Sequence, residues 1–260
     1  MIPCASEYIL GAKVNVTTLS DASARICEWA ARGESRYVCV ASVNNVMEAY
    51  DSAAFQSVTN QADLVTSDGM PVVWALHLLG RKEASRVYGP DLTPRILERA
   101  ATQGISVGFY GGSPDTLSKL LEFVHARFPS LRVAYAWSPP FRPLSAEEDQ
   151  RVVEEMNRSG ARIVFVGLNT PKQDYWMARH KGRIQAVTVG VGAAFDFLAG
   201  TKRQAPKWMR GIGLEWLFRL SAEPGRLWKR YTKHNARFVC LFFLQTLGWK
   251  FSSHDDAPAL

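Results

Sequence analysis

Six short apolar runs alternate with helix-like segments along the first 200 residues, and this alternation constrains the fold more than any other feature. Most of the runs are rich in Val, Ile and aromatic residues and are bounded by Gly, Ser or Pro, as buried strands are. They lie at 37–43, 63–66, 105–110, 131–136, 162–167 and 185–191. Helical patterns lie between them at 20–31, 92–102, 114–128 and 145–157. Strands that alternate with helices predict an α/β fold, with a mainly parallel sheet and helices on both faces.

The positive charge of the chain is concentrated near its end. Residues 1–200 carry 20 basic and 20 acidic side chains, whereas residues 201–250 carry 11 basic and two acidic ones. In the second segment Leu, Phe, Trp and Tyr are interleaved with the Arg and Lys residues, which predicts two or three basic amphipathic helices. We therefore expect a body of residues 1–200 followed by a helical appendage of residues 201–260.

Composition and cysteine usage exclude several classes of protein. With 47% hydrophobic and 21% charged residues, the chain has the balance of a globular protein rather than a disordered one. Its four cysteines form no CxxC pair, and no histidine stands at zinc-ligand spacing beside them. No signal peptide is apparent, so we expect a cytosolic, reducing environment. The longest apolar stretch, near 238–249, is well short of the roughly 20 residues that cross a bilayer.

Ligands of parallel sheets bind beyond the carboxyl ends of the strands, so the loops after the predicted strands are the candidate site. Asp68 follows the run at 63–66, and Gly69 allows a tight turn there. The carboxylate is either a general base aimed into the crevice or a turn residue that caps the helix starting near Pro71. Arg86, on a loop before a helix, either pairs with a phosphate or lies on the surface.

Two further loops combine small or polar residues with a helix N-terminus. Gly111 and Gly112 follow the run at 105–110, where free N–H groups and the helix dipole attract an anion. Asn169 precedes Lys172 and Gln173, which fall in the first turn of a helix. A cation there opposes the helix dipole, which mildly favours a bound anion. Both loops therefore indicate a phosphate-bearing ligand.

The sequence contains no DxD, HExxH, P-loop or nucleophile-elbow pattern, and its five histidines are scattered. The glycines at 111–112 do not complete a GxGxxG fingerprint, which argues against a dinucleotide. We therefore expect no metal site and no cofactor.

Nine strings, taken in order, resemble those of the WecG/TagA/CpsF family of bacterial glycosyltransferases. They are SVN at 42–44, ADLVTSDG at 62–69, RVYGPDL at 86–92, YGG at 110–112, GLNTPKQD at 167–174, GVGAAFD at 190–196, RQAP at 203–206, GLEWLFRL at 213–220 and EPGR at 223–226. The likeness covers roughly residues 8–240, and the ordered series is specific although no single string is. It implies a Rossmann-like body that moves a hexose or N-acetylhexosamine-type sugar from a UDP-sugar to a polyprenyl-diphosphate-linked saccharide, with inversion and without a metal.

The resemblance also implies roles for individual residues. Asp68 matches the family's proposed catalytic base, and the basic appendage, which docks on the membrane and helps close the site, supplies cations. The candidate substrate-binding residues are Ser42, Asn44, Arg86, Gly111, Gly112, Asn169, Lys172, Gln173, Arg219, Arg226 and Arg230, with Lys229 as an alternative to the last. Ser42 replaces a Thr and Asp174 a Glu. Residues 45–47 replace a Pro-Glu-containing stretch, so the donor sugar stays open between N-acetylmannosamine, its uronic acid and glucose.

The appendage predicts a peripheral position on an anionic membrane surface, at the cytoplasmic face of the inner membrane. The alternative is a packed helical subdomain with a solvated basic face. Two other classes of function use the same features. A nucleotide-sugar or NAD-dependent oxidoreductase would share the body, and an RNA-binding module would use the basic, aromatic tail. No RNA-binding signature is present, so no nucleic-acid partner is expected.

Overall fold

The computed structural model of the protein describes residues 4–222 and 224–251, without the side chains at 207, 226, 227, 229, 230 and 232. Its strands are β1 (Ser6–Ile9), β2 (Ala12–Asn15), β3 (Arg36–Ala41), β4 (Leu64–Ser67), β5 (Val107–Gly111), β6 (Val133–Trp137), β7 (Ile163–Gly167) and β8 (Val187–Gly190). Its helices are α1 (Leu19–Ala31), α2 (Val43–Asp51), α3 (Ala53–Asn60), α4 (Met70–Leu78), α5 (Gly89–Gln103), α6 (Pro114–Arg127), α7 (Ala146–Ser159), α8 (Lys172–His180), α9 (Ala194–Leu198), α10 (Lys207–Gly211), α11 (Glu215–Ala222) and α12 (Pro224–Thr246).

Six strands form one parallel sheet in the order β4-β3-β8-β7-β5-β6. All six predicted strands are confirmed, each end to within two residues. Successive parallel strands need crossover connections, and here helices provide them on both faces of the sheet. The predicted Rossmann-like α/β fold is therefore confirmed.

Both faces of the sheet are buried, as β7 illustrates. Ile163 and Phe165 point into a core shared with α1, α5 and α6, whereas Val164 and Val166 point into a second core shared with α7 and α8. A strand buried on both faces reads as a continuous apolar run, and this is why the runs were visible in the sequence.

The antiparallel hairpin of β1 and β2 was not predicted. Each strand is only four residues long, and the turn between them places Leu10 and Gly11 at positive φ. Leu10 is a non-glycine residue in that region, so the turn lacks the usual Asn-Gly or Asp-Gly signature.

Helices α2 and α3 were also missed, and β3 ends two residues before the predicted limit. The chain turns into α2 because Ser42 caps it. The Ser42 N–H and Oγ both donate to Asn45 Oδ1, at 3.1 and 2.9 Å. A capping box with Asn in the third position, rather than Glu or Gln, is a weak sequence signal.

The appendage forms three helices, α10 to α12, and it shares a core with the body. Phe238 and Phe242 of α12 are buried in the same cluster as residues of the hairpin, α2 and α4. Gln245 fastens the end of α12 to the hairpin by accepting a hydrogen bond from the Leu10 N–H and donating one to the Tyr8 carbonyl. The division at residue 200 stays a prediction. Across the described residues, no helix combines the length and apolarity that spanning a bilayer requires.

Candidate active site

A cleft of about 650 Å³ lies at the carboxyl ends of β3, β4, β7 and β8. The body lines it with Ser42, Asn44, Asp68, Arg86, Asn169 and Gln173, among others. The appendage lines it with Glu215, Trp216, Phe218, Arg219, Tyr231 and His234, among others. The place where parallel sheets bind their ligands is thus shared between the body and the appendage.

Asp68 stands one residue beyond β4. Its N–H bonds the Ala41 carbonyl at 2.8 Å, which extends the pairing of β3 with β4 to the edge of the cleft. Gly69, not Asp68, is the N-cap of α4, and no side chain caps that helix. Asp68 Oδ1 is buried and accepts no hydrogen bond from any residue the structure describes. The capping alternative is therefore wrong, and Oδ1 faces the cleft region without a partner among the described residues.

The surroundings of Asp68 tune its acidity. Burial raises the pKa of the carboxyl to about 6, and the negative charges of Glu215 and Asp91 add to that rise. The cations of Arg86 and Arg219 lower the pKa and limit it. A carboxylate with a pKa near 6 is mostly ionised at neutral pH yet basic enough to accept a proton.

Arg86 is held in the cleft by three contacts. Its Nε donates to the Asp68 backbone carbonyl at 2.6 Å, and its Nη2 forms an ion pair with Glu215. Its guanidinium lies 4.1 Å from the centroid of the Tyr88 ring, a cation–π contact. The surface alternative for this residue is therefore wrong.

Glu215, the first residue of α11, is buried opposite this arginine. Its Oε2 accepts from Arg86, and its Oε1 accepts from the Tyr88 hydroxyl at 2.7 Å. Arg219, one turn further along α11, brings its Nε to 3.8 Å from the same Oε1. The guanidinium of Arg219 also lies 5.1 Å from the centroid of the Phe197 ring. The Glu215 carboxylate thus lies between the guanidinium groups of Arg86 and Arg219.

Ser42 and Asn44 reach the cleft at the N-terminus of α2. Asn45, which caps this helix with Ser42, donates from Nδ2 to Thr170 Oγ1 at 3.0 Å. That bond joins α2 to the loop between β7 and α8. Asn169 in the same loop has a positive φ of 63°, so the loop turns sharply at the cleft.

Gln173 is buried where this loop meets the tip of β8. A Cβ added at Gly190 would lie 2.9 Å from Gln173 Nε2, so only glycine lets the amide lie so close to the strand. Gln173 Oε1 is buried and accepts no hydrogen bond from the described residues. Buried polar atoms are normally paired, so this oxygen is available to a ligand donor.

Comparison with known proteins shows to which family the chain belongs. A family model described as the glycosyl transferase WecG/TagA/CpsF family matches residues 7–252. The chain belongs to this family. It is therefore a glycosyltransferase, and the oxidoreductase and RNA-binding alternatives are set aside.

One curated relative of this glycosyltransferase comes from Bacillus spizizenii. It is named N-acetylglucosaminyldiphosphoundecaprenol N-acetyl-beta-D-mannosaminyltransferase. The two chains are 28% identical over 200 residues, which is 76% of each.

The structure brings most of the predicted site residues of the glycosyltransferase together. Those that line the cleft are Asp68, Ser42, Asn44, Arg86, Asn169, Gln173 and Arg219. Arg226 and Arg230 lie on α12, but their side chains are outside the described part of the structure, as is that of Lys229. Their roles stay predictions.

Gly111, Gly112 and Lys172 do not line the cleft. A Cβ at Gly111 would lie 2.6 Å from the Gly167 carbonyl oxygen, so this glycine serves the close approach of β5 and β7. Gly112 packs against Phe195, and Lys172 is exposed. That these three residues contact the substrate stays a prediction. Their positions outside the cleft lining do not favour it.

Sequence reasoning missed Glu215 and Tyr88 as functional candidates in this glycosyltransferase. Tyr88 is buried, and its hydroxyl bonds only to the Glu215 carboxylate among the contacts described for it. A signal for Glu215 existed, because it is one of two acidic residues in a segment with 11 basic ones. An acid among so many basic residues predicts an ion pair with a cationic side chain.

The described residues contain no group of three or more His, Cys, Asp or Glu side chains that could hold a metal ion. Arg86 and Arg219 are among the cationic side chains that line the cleft. The metal independence of the reaction stays a prediction.

Proposed function

We propose that this glycosyltransferase moves a hexose or N-acetylhexosamine-type sugar from a UDP-sugar to a polyprenyl-diphosphate-linked saccharide, with inversion, in cell-surface polysaccharide synthesis. The name of the Bacillus relative supports a lipid-linked acceptor and an N-acetylmannosamine donor. The observation that carries the proposal is the buried Asp68 Oδ1, which accepts no hydrogen bond from the described residues, in a cleft that Arg86, Arg203 and Arg219 also line.

In this mechanism Asp68 is the general base. The acceptor hydroxyl attacks the anomeric carbon from the side opposite the departing UDP, and Asp68 takes the hydroxyl proton. The bond from the anomeric carbon to UDP breaks as the new glycosidic bond forms, so the configuration inverts. Burial and the neighbouring acids support this role, because they raise the pKa of Asp68 to about 6.

The leaving diphosphate gains negative charge during this step, and cations must offset that charge. In this proposal Arg219 of the appendage and Arg86 of the body, which both line the cleft, offset that charge, and Arg226 and Arg230 are expected to join them. A guanidinium suits this task, since its planar donors match phosphate oxygens. Ser42, Asn44, Asn169 and Gln173 provide hydrogen-bonding groups for the rest of the nucleotide sugar.

The appendage would also place the enzyme on the cytoplasmic face of the membrane. The appendage exposes large apolar side chains, including Trp208 and Ile212 at 64% and 55%, in the segment that carries 11 basic residues. Basic residues near an anionic leaflet contribute about 1 kcal/mol each. A peripheral enzyme held in this way would meet its lipid-linked acceptor at the surface.

A donor screen tests the proposal. Purified protein is mixed with UDP-N-acetylmannosamine, its uronic acid form or UDP-glucose and a short polyprenyl-diphosphate sugar, and released UDP is measured. We expect UDP release that needs both substrates and that EDTA does not reduce. Absence of acceptor-dependent release with every donor would refute the proposal, and activity that EDTA abolishes and Mg²⁺ restores would refute metal independence.

A further inference from the structure

Glu215 is a buried carboxylate for which the proposed chemistry has no direct use. It enters the cleft from α11, and its side chain is 11% exposed. Each of its oxygens is engaged by the body: Oε2 by the Arg86 guanidinium and Oε1 by the Tyr88 hydroxyl at 2.7 Å. A buried charge is costly unless it is paired and hydrogen-bonded, so this arrangement is specific.

The same carboxylate separates two cations. Arg86 binds one of its oxygens, and Arg219 lies 3.8 Å from the other. Two guanidinium groups brought to one cleft repel each other when no anion is present. Glu215 offsets that repulsion and keeps both side chains beside Asp68 before a diphosphate arrives.

A second ion pair joins this edge of the appendage to the first turn of α5, directly after the loop that carries Arg86. Arg210 of α10 pairs with Asp91 at 3.1 Å, and the Arg86 guanidinium reaches the Arg210 carbonyl at 3.4 Å. The Arg210–Asp91 pair is partly exposed, since Asp91 is 48% exposed, whereas the pair of Arg86 with Glu215 is buried. Exposed pairs contribute little to stability, so Glu215 is the stronger attachment.

We propose that Glu215 is a positioning residue of the transfer reaction, which fastens α11 to the cleft through Arg86 and Tyr88 and so sets where Arg86 and Arg219 stand relative to Asp68. The inference rests on the proposed function for its kinetic part. Its structural part, the fastening of α11, does not depend on the substrate.

Replacing the Glu215 carboxylate by an amide tests the role of its charge without changing the size of the side chain. Glu215→Gln keeps the shape of the side chain and an acceptor for the Tyr88 hydroxyl, but it removes the negative charge. Because small displacements of catalytic groups cost large factors in rate, we expect kcat/KM to fall about 10- to 100-fold. Glu98→Gln is the matched control, since Glu98 pairs with Arg95 on the exposed face of α5, and it should keep wild-type activity.

The pH profile gives a readout that loss of packing would not produce. The charged groups that act on Asp68 are Arg86 and Arg219, which lower its pKa, and Glu215 and Asp91, which raise it. Removing the Glu215 charge therefore moves the acid limb of kcat/KM to lower pH. Glu215→Asp keeps a negative charge on α11, so the acid limb of its kcat/KM profile should stay near that of the wild type.

Amide hydrogen exchange tests the fastening without any substrate. We expect the amides of residues 215–222 to exchange faster in Glu215→Gln than in the wild type or in Glu98→Gln. Unchanged exchange together with an unshifted acid limb would overturn the proposal, whatever the rate. If the wild type releases no UDP, the proposed function fails, and the exchange experiment alone then decides whether Glu215 fastens α11.

Circular dichroism establishes that each variant is folded. If Glu215→Gln does not fold, Tyr88→Phe takes its place, because it removes only the hydroxyl that donates to Glu215. We expect a two- to tenfold loss of kcat/KM and faster exchange of residues 215–222 in this variant. Wild-type rate and exchange in a folded Tyr88→Phe protein would overturn the proposal.

Discussion

Arg86 donates its Nε hydrogen bond to the backbone carbonyl oxygen of Asp68, at 2.6 Å, and leaves Oδ1 of the same residue without a hydrogen bond from any described residue. The arginine therefore fixes the position of the residue while its carboxylate stays available. A second carboxylate, that of Glu215, pairs with the guanidinium instead. The proposed general base and the proposed positioning residue thus contact different nitrogen atoms of the same arginine.

Asp68→Asn should abolish turnover. The amide cannot accept the hydroxyl proton, and loss of a general base costs about 10²- to 10⁴-fold in rate. Binding of UDP, measured by calorimetry, should change little because the side chain keeps its size. Asp115→Asn is the control, since Asp115 lies on α6 and is 69% exposed, and it should behave as the wild type. Normal turnover in Asp68→Asn would remove this residue from the chemistry.

The activity of the wild type should depend on pH with an acid limb near pH 6. Burial raises the pKa of Asp68 to about 6, and the base must be ionised to work. As pH falls through that value Asp68 gains a proton, so kcat/KM should fall towards pH 5 and level off above pH 7. Initial rates in a series of buffers at constant ionic strength measure this. A profile that is flat from pH 5 to 7 would contradict the assignment.

Trp208→Ala should weaken binding to anionic vesicles. Burying a large apolar side chain is worth about 1.5–3 kcal/mol, so we expect roughly a tenfold or greater loss of partitioning into phosphatidylglycerol vesicles, measured by sedimentation. Phe141→Ala serves as the comparison, because Phe141 is 95% exposed on the loop between β6 and α7. Equal binding by both variants and the wild type would argue against docking through this part of the appendage.

Phe242→Ala should destabilise the whole protein. Phe242 is buried with Phe238 in the core that α12 shares with the hairpin and α2, and truncation of a buried Phe costs about 3–5 kcal/mol. The neighbouring Phe243 is 61% exposed, so Phe243→Ala should change the free energy of unfolding by less than about 0.5 kcal/mol. Urea unfolding followed by circular dichroism measures both. Equal stabilities for the two variants would show that α12 folds separately from the body.

The sequence predicted the sheet because its strands are buried on both faces, as Val164 and Phe165 on opposite sides of β7 show. The sequence also indicated Asp68 and Arg86 as candidate site residues, because Asp68 directly follows a strand and Arg86 lies on a loop before a helix. It did not predict the contact between Arg86 and Glu215, because 129 residues separate the two and no local pattern links them.

The first turn of α8 shows a second limit of prediction from the sequence, namely which of two adjacent side chains faces the cleft. Lys172 and Gln173 were predicted to face the same ligand, yet only Gln173 lines the cleft. Successive residues of an α-helix point about 100° apart, so both side chains rarely face one site. Which of the two turns inward depends on how α8 packs, and that was not readable from the loop motif.

The shared core of α12 has a practical consequence for anyone who shortens the chain. A fragment that stops near residue 200 would lose Phe238 and Phe242 and would uncover the apolar faces of the hairpin and α2 that they shield. An exposed apolar surface of this kind promotes self-association in water, so the fragment should aggregate or require detergent to stay in solution. Loss of activity in that fragment would then report poor solution behaviour as much as missing arginines.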